Sequence, residues 1–261
     1  MPDPGARRVP FSKPSSLLGF GVLTPDGTSV RRRTSTDSVT RSTARMLGWA
    51  AALRRTQMSG DFGFTSRECR SLRALRTPVG IQRALETMPY HVASSVWSPR
   101  RVLREGTAHC LEGAIFAAAA LRVLGFTPLL LDLEAVQDTD HVISVFRVRG
   151  HWGAIAKSNF SGLRFREPVY RSVRELVMSY FEAYINLRGE RTLRAYSRPV
   201  NLARFDRSHR GWMTSEADLW WIAEHLVGVR HTRLLTSAMT RSLSRVDRRS
   251  LDAGLVGYRA H

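Results

Sequence analysis

The sequence predicts a protein of the α+β class, with helices before and after a group of strands. An apolar, alanine-rich run from Ala114 to Leu124, closed by Gly125, has the composition and length of a helix. Three segments rich in branched apolar residues follow it, as strands do. Arg149-Gly150 separates the second of these segments from the third, which predicts an antiparallel hairpin.

Residues 1–60 are expected to form a basic, largely disordered arm. Residues 1–40 are rich in Pro, Gly, Ser, Thr and Arg and have no sustained apolar period. Arg41 to Gln57 has the pattern of a short amphipathic helix, which would dock on the core or touch an anionic surface. The ordered domain is therefore expected to begin near Asp61.

Three short helices are predicted between the arm and the alanine-rich helix, each from the residues at its start. Thr65 or Ser66 starts a helix through Leu75, Pro78 starts one over Val79–Thr87, and Ser98-Pro99 starts the third.

Strands are predicted beyond the alanine-rich helix at Leu129–Leu133, Val142–Val148 and Trp152–Ala156. Apolar periodicity then predicts a long helix over Arg171–Asn186 and a tail helix over Glu216–Leu226. These elements divide the chain into the arm (1–60), a core domain (61–206) and a helical C-terminal extension (207–261).

Charge and composition restrict the class of protein. The 261 residues carry a net charge of +18, and the only lysines are Lys13 and Lys157. Such charge predicts weak, salt-sensitive, non-specific association with nucleic acid. A dedicated nucleic-acid binder is disfavoured, because no helix-turn-helix, zinc finger or aromatic-basic motif accompanies the arginines.

The cysteine count and the lack of other motifs exclude several further classes. Two cysteines, Cys69 and Cys110, are too few for a disulfide framework and fit a reduced, cytoplasmic protein. No segment approaches the roughly 18 apolar residues of a membrane span. Phosphate-binding loops, serine nucleophile elbows and metal-ligand spacings are lacking, so neither a cofactor nor a metal is expected.

Cys110 and His141 are the candidate catalytic pair. Cys110 opens the alanine-rich helix, where the helix dipole and free backbone N–H groups favour a thiolate and can bind an oxyanion. Thr107 lies just upstream as a possible capping hydroxyl. His141 opens a strand 31 positions later (141 − 110) and could accept and return the thiol proton.

The sequence around this pair resembles a known superfamily. Cys110-x-Glu112-Gly113-Ala114, then Asp140-His141-Val142 and Gly150-x-Trp152, in this order, are similar to the motifs of transglutaminase-like, papain-related cysteine enzymes. His-Cys-x-Glu-Gly-Ala and Trp-Gly-x-Ile-x-Lys-x-Asn also resemble a bacterial family of this superfamily, over about Leu75 to Trp212. The resemblance implies an α+β core with the cysteine helix packed on an antiparallel sheet, and acyl transfer through a thioester.

The resemblance also implies further site residues. The superfamily usually carries an orienting aspartate four residues after the strand tryptophan, where this chain has Ala156. Asn159 is the first substitute, and Asp132 and Glu134 stay open as alternatives. The Trp97 indole is a candidate second oxyanion donor. Lys157 would hold a substrate carboxylate or form a salt bridge to a glutamate.

The sequence therefore predicts a cysteine-dependent amide hydrolase or acyl transferase acting on a peptide or protein amide. Glu112, about 200° around the helix from Cys110, is expected to pair with an arginine or to bind loop amides rather than touch the thiolate. The alternative is a non-catalytic binding protein of the same fold, whose basic surface docks on an acidic partner or nucleic acid.

Overall fold

We describe the fold from a computed structural model, which describes residues 61–209 and 211–258. The predicted arm, including the amphipathic helix over residues 41–57, lies outside these ranges. The described part of the chain is of the α+β class, as the sequence predicts, with helices around an open antiparallel sheet.

Eight α-helices occur in the described ranges. They are α1 (Ser66–Ala74), α2 (Pro78–Thr87), α3 (Pro99–Glu105), α4 (Cys110–Val123), α5 (Val173–Met178), α6 (Trp220–Gly228), α7 (Ser237–Arg241) and α8 (Arg248–Gly254). The predicted starts are confirmed: Thr65 caps α1 in a capping box with Glu68, and Ser98 caps α3. None of the described helices is long and apolar enough to cross a membrane.

Seven strands of the described residues form the sheet. They are β1 (Leu129–Ala135), β2 (His141–Val148), β3 (His151–Ile155), β4 (Arg166–Tyr170), β5 (Leu193–Ser197), β6 (Val200–Asn201) and β7 (His231–Arg233). The order is β4-β3-β2-β1-β5-β7, with β6 also paired to β1, and every pairing is antiparallel. The predicted β2–β3 hairpin is confirmed, and its turn places Arg149 and Gly150 at positive φ (50° and 83°).

The sheet separates two apolar clusters. The larger one surrounds α4, whose residues from Cys110 to Leu121 are all buried. A helix that is apolar around its whole circumference is stable only in such a central position. Val142 and Phe146 of β2 face this cluster, whereas Ile143 and Val145 belong to the second cluster, around Leu176 and Tyr184. Alternation along β2 therefore assigns neighbouring residues to opposite faces.

The predicted long helix after the strands needs correction. The long helix over Arg171–Asn186 is wrong beyond Met178, because α5 ends there and a 3-10 turn over Phe181–Ala183 follows. The Tyr184 hydroxyl donates to the carbonyl of Thr139 (2.9 Å), so the segment is held against the β1–β2 loop instead of continuing as a helix.

The C-terminal extension is not purely helical. Its predicted helix begins four residues late, at Trp220, and β7 adds an edge strand to the sheet of the core domain. Trp212 and Ile222 are buried in the cluster around α4. The extension thus completes the same core.

Candidate active site

Cys110 is the first residue of α4 and is 6% exposed. The Tyr90 hydroxyl and the backbone N–H groups of Leu111 and Val142 lie close enough to its sulfur to stabilise the thiolate by hydrogen bonding. These donors favour the thiolate, but burial outweighs them and raises the pKa of the Cys110 thiol to about 11. At neutral pH the resting thiol is protonated.

Tyr90 is the principal site residue that the sequence did not reveal. Its hydroxyl oxygen accepts a hydrogen bond from the backbone N–H of Cys110, while its proton is donated to the sulfur. Pairing of Tyr90 with Ala108 holds it there, since His91 N–H donates to the Ala108 carbonyl (3.2 Å). The hydroxyl therefore occupies the helix N–H that was predicted to bind an oxyanion.

Glu112 fixes this loop from behind and is completely buried. Its carboxylate accepts hydrogen bonds from Ser95 Oγ (2.8 Å) and from the backbone N–H groups of Trp97 (3.0 Å) and His109 (3.3 Å). His91 Nδ1 lies 2.9 Å from it. The prediction that Glu112 binds loop amides is confirmed. Four neighbours on one carboxylate tie the 91–97 loop to the start of α4.

His141 is buried, at 5% exposure, and its ring contacts groups other than the Cys110 thiol. Nε2 lies 3.1 Å from the carbonyl oxygen of Leu163, and the ring packs edge-on near Tyr184, at 6.4 Å between centroids. Burial lowers the pKa of His141 to about 4, with a smaller contribution from the charge of Arg166. No hydrogen bond joins the Cys110 thiol to the His141 ring in the described structure.

The reason for this separation is the alternation of β2. The Cys110 sulfur lies against the backbone N–H of Val142, the residue next to His141, so the fold does bring the two motifs together. However, Val142 faces α4, and Leu163 and Tyr184 belong to the cluster on the other face. The His141 side chain leaves the sheet on that other face.

The remaining predicted residues have other contacts. Asn159 lies in the bend after β3, and the Leu163 carbonyl, not Asn159, is what His141 Nε2 contacts. The Trp97 indole packs against the His91 ring in a tilted arrangement (4.1 Å between centroids), and the side-chain donor to the Cys110 sulfur is Tyr90. Thr107 does not cap α4, because its hydroxyl donates to the carbonyl of Pro89 (2.9 Å).

Lys157 anchors the end of β3 to two helices. Its ammonium donates to the carbonyls of Leu85 (2.8 Å) and Met88 at the end of α2, and its side chain covers Gly113 of α4. Burial lowers the pKa of Lys157 to about 8. The ammonium thus satisfies carbonyl groups at the end of a helix and forms no salt bridge with a described glutamate.

A second imidazole lies on the face of the sheet that α4 covers. His231 Nε2 is 3.0 Å from Asp132 Oδ2, and this hydrogen bond raises the pKa of His231. Asp132 pairs with Val142 across β1 and β2, and its charge contributes to raising the pKa of Cys110. The sequence left Asp132 open as an orienting residue, but it gave no local signal for His231, 99 positions away.

The fold and site define the class at this level: an α+β protein with an open antiparallel sheet and a buried cysteine at the start of its central helix. Comparison of the chain with protein-family models and with curated proteins found no match. In the described ranges, no group of three or more His, Cys, Asp or Glu side chains has the geometry to hold a metal ion.

Proposed function

We propose that the protein is a cysteine-dependent amide hydrolase or acyl transferase with a transglutaminase-like core, and that Cys110 is its nucleophile. The observation that supports this proposal best is the convergence of three donors on one sulfur at the start of a buried helix. Cys69 contrasts with it: this thiol is packed in the apolar cluster around α4 and acts as a donor, to the carbonyl of Asp61 at 3.7 Å. The two free cysteines are also the basis for predicting a cytoplasmic location.

The proposed reaction uses these donors in two stages. Cys110 loses its proton to an imidazole, and the sulfur bonds to an amide carbonyl carbon. The carbonyl oxygen, now an oxyanion, replaces the Tyr90 hydroxyl on the Cys110 N–H. The C–N bond breaks as the imidazolium returns the proton to the departing amine. Water or a second amine then attacks the thioester, yielding an acid or a new amide and restoring the thiol.

Two histidines compete for the role of the imidazole. His141 is adjacent to the backbone that contacts Cys110, but its ring must leave the Leu163 carbonyl first. His231 is already oriented by a carboxylate and lies on the same face of the sheet as α4, behind Asp132. In either case the proposal requires that Tyr90, which hydrogen-bonds to Cys110, is displaced by the substrate before the reaction begins.

The decisive experiment is a search for the acyl-enzyme. The full chain is incubated with a panel of peptide amides that release a chromogenic amine, and the protein is analysed by mass spectrometry. We expect thioester formation on Cys110, loss of amine release in Cys110→Ala, and its retention in the matched control Cys69→Ala. His141→Ala and His231→Ala, compared in the same assay, identify the imidazole.

A non-catalytic role is the second candidate, and one observation favours it. Burial raises the pKa of the Cys110 thiol and lowers the pKa of His141, so both groups are neutral at physiological pH. A neutral thiol is a poor nucleophile. On this hypothesis no amide in the panel acylates Cys110, and Cys110→Ala behaves as the wild type in every binding assay.

A further inference from the structure

A cavity lies at the edge of the sheet, between the β1–β2 loop, β5 and the C-terminal tail. It has a volume of about 230 Å³. Its lining includes three arginines, Arg191, Arg194 and Arg245, and one acidic residue, Glu190. Cavities for drug-sized ligands measure roughly 300–1,000 Å³, so this one suits a smaller molecule.

Arg194 enters this cavity because of a β-bulge. Glu134 of β1 pairs with Ala195 and Ala135 pairs with Leu193, so that Arg194 between them has no partner on β1. A bulge of this kind rotates one side chain out of the regular alternation and directs it elsewhere. The Arg194 side chain is thereby added to the cavity lining, while its backbone carbonyl still accepts a hydrogen bond from the Leu234 N–H (2.9 Å).

The Arg194 guanidinium has no carboxylate partner among the described residues. One of its terminal nitrogens, Nη1, donates to the carbonyls of Arg191 and Leu193, both at 2.9 Å, which fixes the plane of the group. Partial burial lowers its pKa, so the cation has lost part of its hydration. A desolvated guanidinium with unused donors is a strong ligand for an oxyanion.

The other charges around the cavity do not neutralise Arg194. Glu190 is held by Asn186, Arg188 and Arg245, and these contacts lower its pKa to about 2. Arg191 pairs with Glu182 (2.7 Å) outside the lining. Asp138 contacts the Thr192 hydroxyl, and burial raises the pKa of this carboxyl group.

We propose that this cavity is a binding site for a small phosphate-type anion, with Arg194 as its principal ligand; Arg191 and Arg245 also line it, but each is already paired with a glutamate. The anion is either free phosphate or the phosphate group of a small monoester. Both would use the planar donors of Arg194 in the same way. The site is independent of Cys110, so it can be present whether or not the chain is an acyltransferase.

The test is thermal unfolding of the full chain titrated with inorganic phosphate or with glycerol 3-phosphate, at constant ionic strength set with chloride. We expect saturable stabilisation of the wild type by mass action. Arg194→Gln should weaken binding at least about tenfold, because charge-assisted hydrogen bonds are lost. Arg174→Gln, which removes an exposed arginine on α5, is the charge-matched control and should bind as the wild type does.

Arg194→Lys keeps the positive charge but replaces the planar guanidinium by an ammonium group, and it should also bind the anion more weakly than the wild type does. This variant replaces Arg194→Gln in the test if Arg194→Gln does not fold. Tighter binding of the monoester than of phosphate identifies a phosphorylated small molecule, and equal binding identifies phosphate itself. A phosphate effect of equal size in Arg194→Gln and the wild type would mean general screening of the +18 charge and would overturn the proposal. The absence of saturation in the wild type would overturn it too.

Discussion

At the scale of single residues, Tyr90 is the most informative contact of the candidate site. It satisfies the backbone N–H of Cys110 and donates to its sulfur, so one hydroxyl controls both the stability of this helix start and the acidity of the thiol. Because the bond to sulfur stabilises the thiolate, the hydroxyl and the burial of Cys110 act on the thiol pKa in opposite directions.

Replacing Tyr90 by phenylalanine tests this balance. In a Cys69→Ala background, Tyr90→Phe should shift the pH midpoint of Cys110 alkylation upward, because the thiolate loses a donor. The unsatisfied N–H of Cys110 should also reduce the free energy of unfolding by about 1–3 kcal/mol. The measurements are the pH profile of iodoacetamide reaction and urea unfolding. A midpoint that moves to lower pH would show that the hydroxyl destabilises the thiolate.

His141 should make stability depend on pH. Its folded pKa of about 4 lies below the ordinary value of 6.5, so the unfolded chain binds a proton first as the pH falls. The stability contributed by the neutral buried ring is complete above pH 6.5 and is lost as the pH falls toward 4. The full loss is about 3 kcal/mol, on the order of 1.4 kcal/mol per unit of pKa difference.

Asp140 affects the stability in the opposite direction to His141, over an overlapping range of pH. Burial raises its pKa from 3.8 to about 7, so its contribution is present at low pH and is lost as the pH rises from about 4 to about 7. His141→Gln isolates the histidine contribution. Between pH 7 and pH 4 in urea unfolding, the wild type should lose about 3 kcal/mol more than this variant. Parallel pH curves for the two proteins would show that His141 is not buried in its neutral form.

At the scale of elements, α4 depends on the fit of Gly113 against Lys157, in the segment that follows β3. A Cβ placed on Gly113 would lie 2.5 Å from the Cβ of Lys157, an overlap that no side-chain rotation relieves. Gly113→Ala should therefore destabilise the protein by about 1–3 kcal/mol, although alanine is the better helix former. Gly228→Ala in α6, where no atom lies within 4 Å, is the control and should be neutral or slightly stabilising. Equal unfolding midpoints in urea for the two variants would show that the close contact between Gly113 and Lys157 does not limit the size of the residue at position 113.

The loop ahead of α4 depends on the buried carboxylate of Glu112. Glu112→Gln leaves donors of Ser95, Trp97 or His109 facing an amide N–H, which should cost about 2–4 kcal/mol of unfolding free energy. Glu105→Gln removes an exposed carboxylate that pairs with Arg104, and should cost less than about 0.5 kcal/mol. Urea unfolding of both variants compares them, and similar losses would mean that Glu112 does not organise the loop.

At the scale of the whole molecule, the charge of +18 gives a prediction that is separate from the candidate site. We expect the chain to bind mixed DNA and RNA weakly at low ionic strength, with an affinity that falls steeply through the physiological range. Fluorescence anisotropy at the two ionic strengths measures this. Tight, sequence-selective binding that persists at physiological salt would favour the binding-protein hypothesis over the enzyme.

The sequence by itself determined the local elements and the position of Cys110 at a helix start. Capping residues such as Thr65 and Ser98, the alanine-rich composition of α4 and the Arg149-Gly150 turn act over a few residues, so the sequence alone reveals them. Because these signals are local, they mispredicted the end of the helix after Arg171. The apolar pattern continues beyond Met178, but contacts with the β1–β2 loop end the helix there.

The tertiary structure alone decided which side chains meet. Side chains alternate between the two faces of a strand, so a shift of one position in register decides whether His141 or Val142 faces α4. Because β2 is buried on both faces, its sequence pattern does not show which residues lie on which face. Tyr90 reaches Cys110 through pairing with Ala108, His231 reaches Asp132 across the sheet, and a bulge redirects Arg194. These contacts depend on pairing and register between distant segments, which local sequence patterns do not encode.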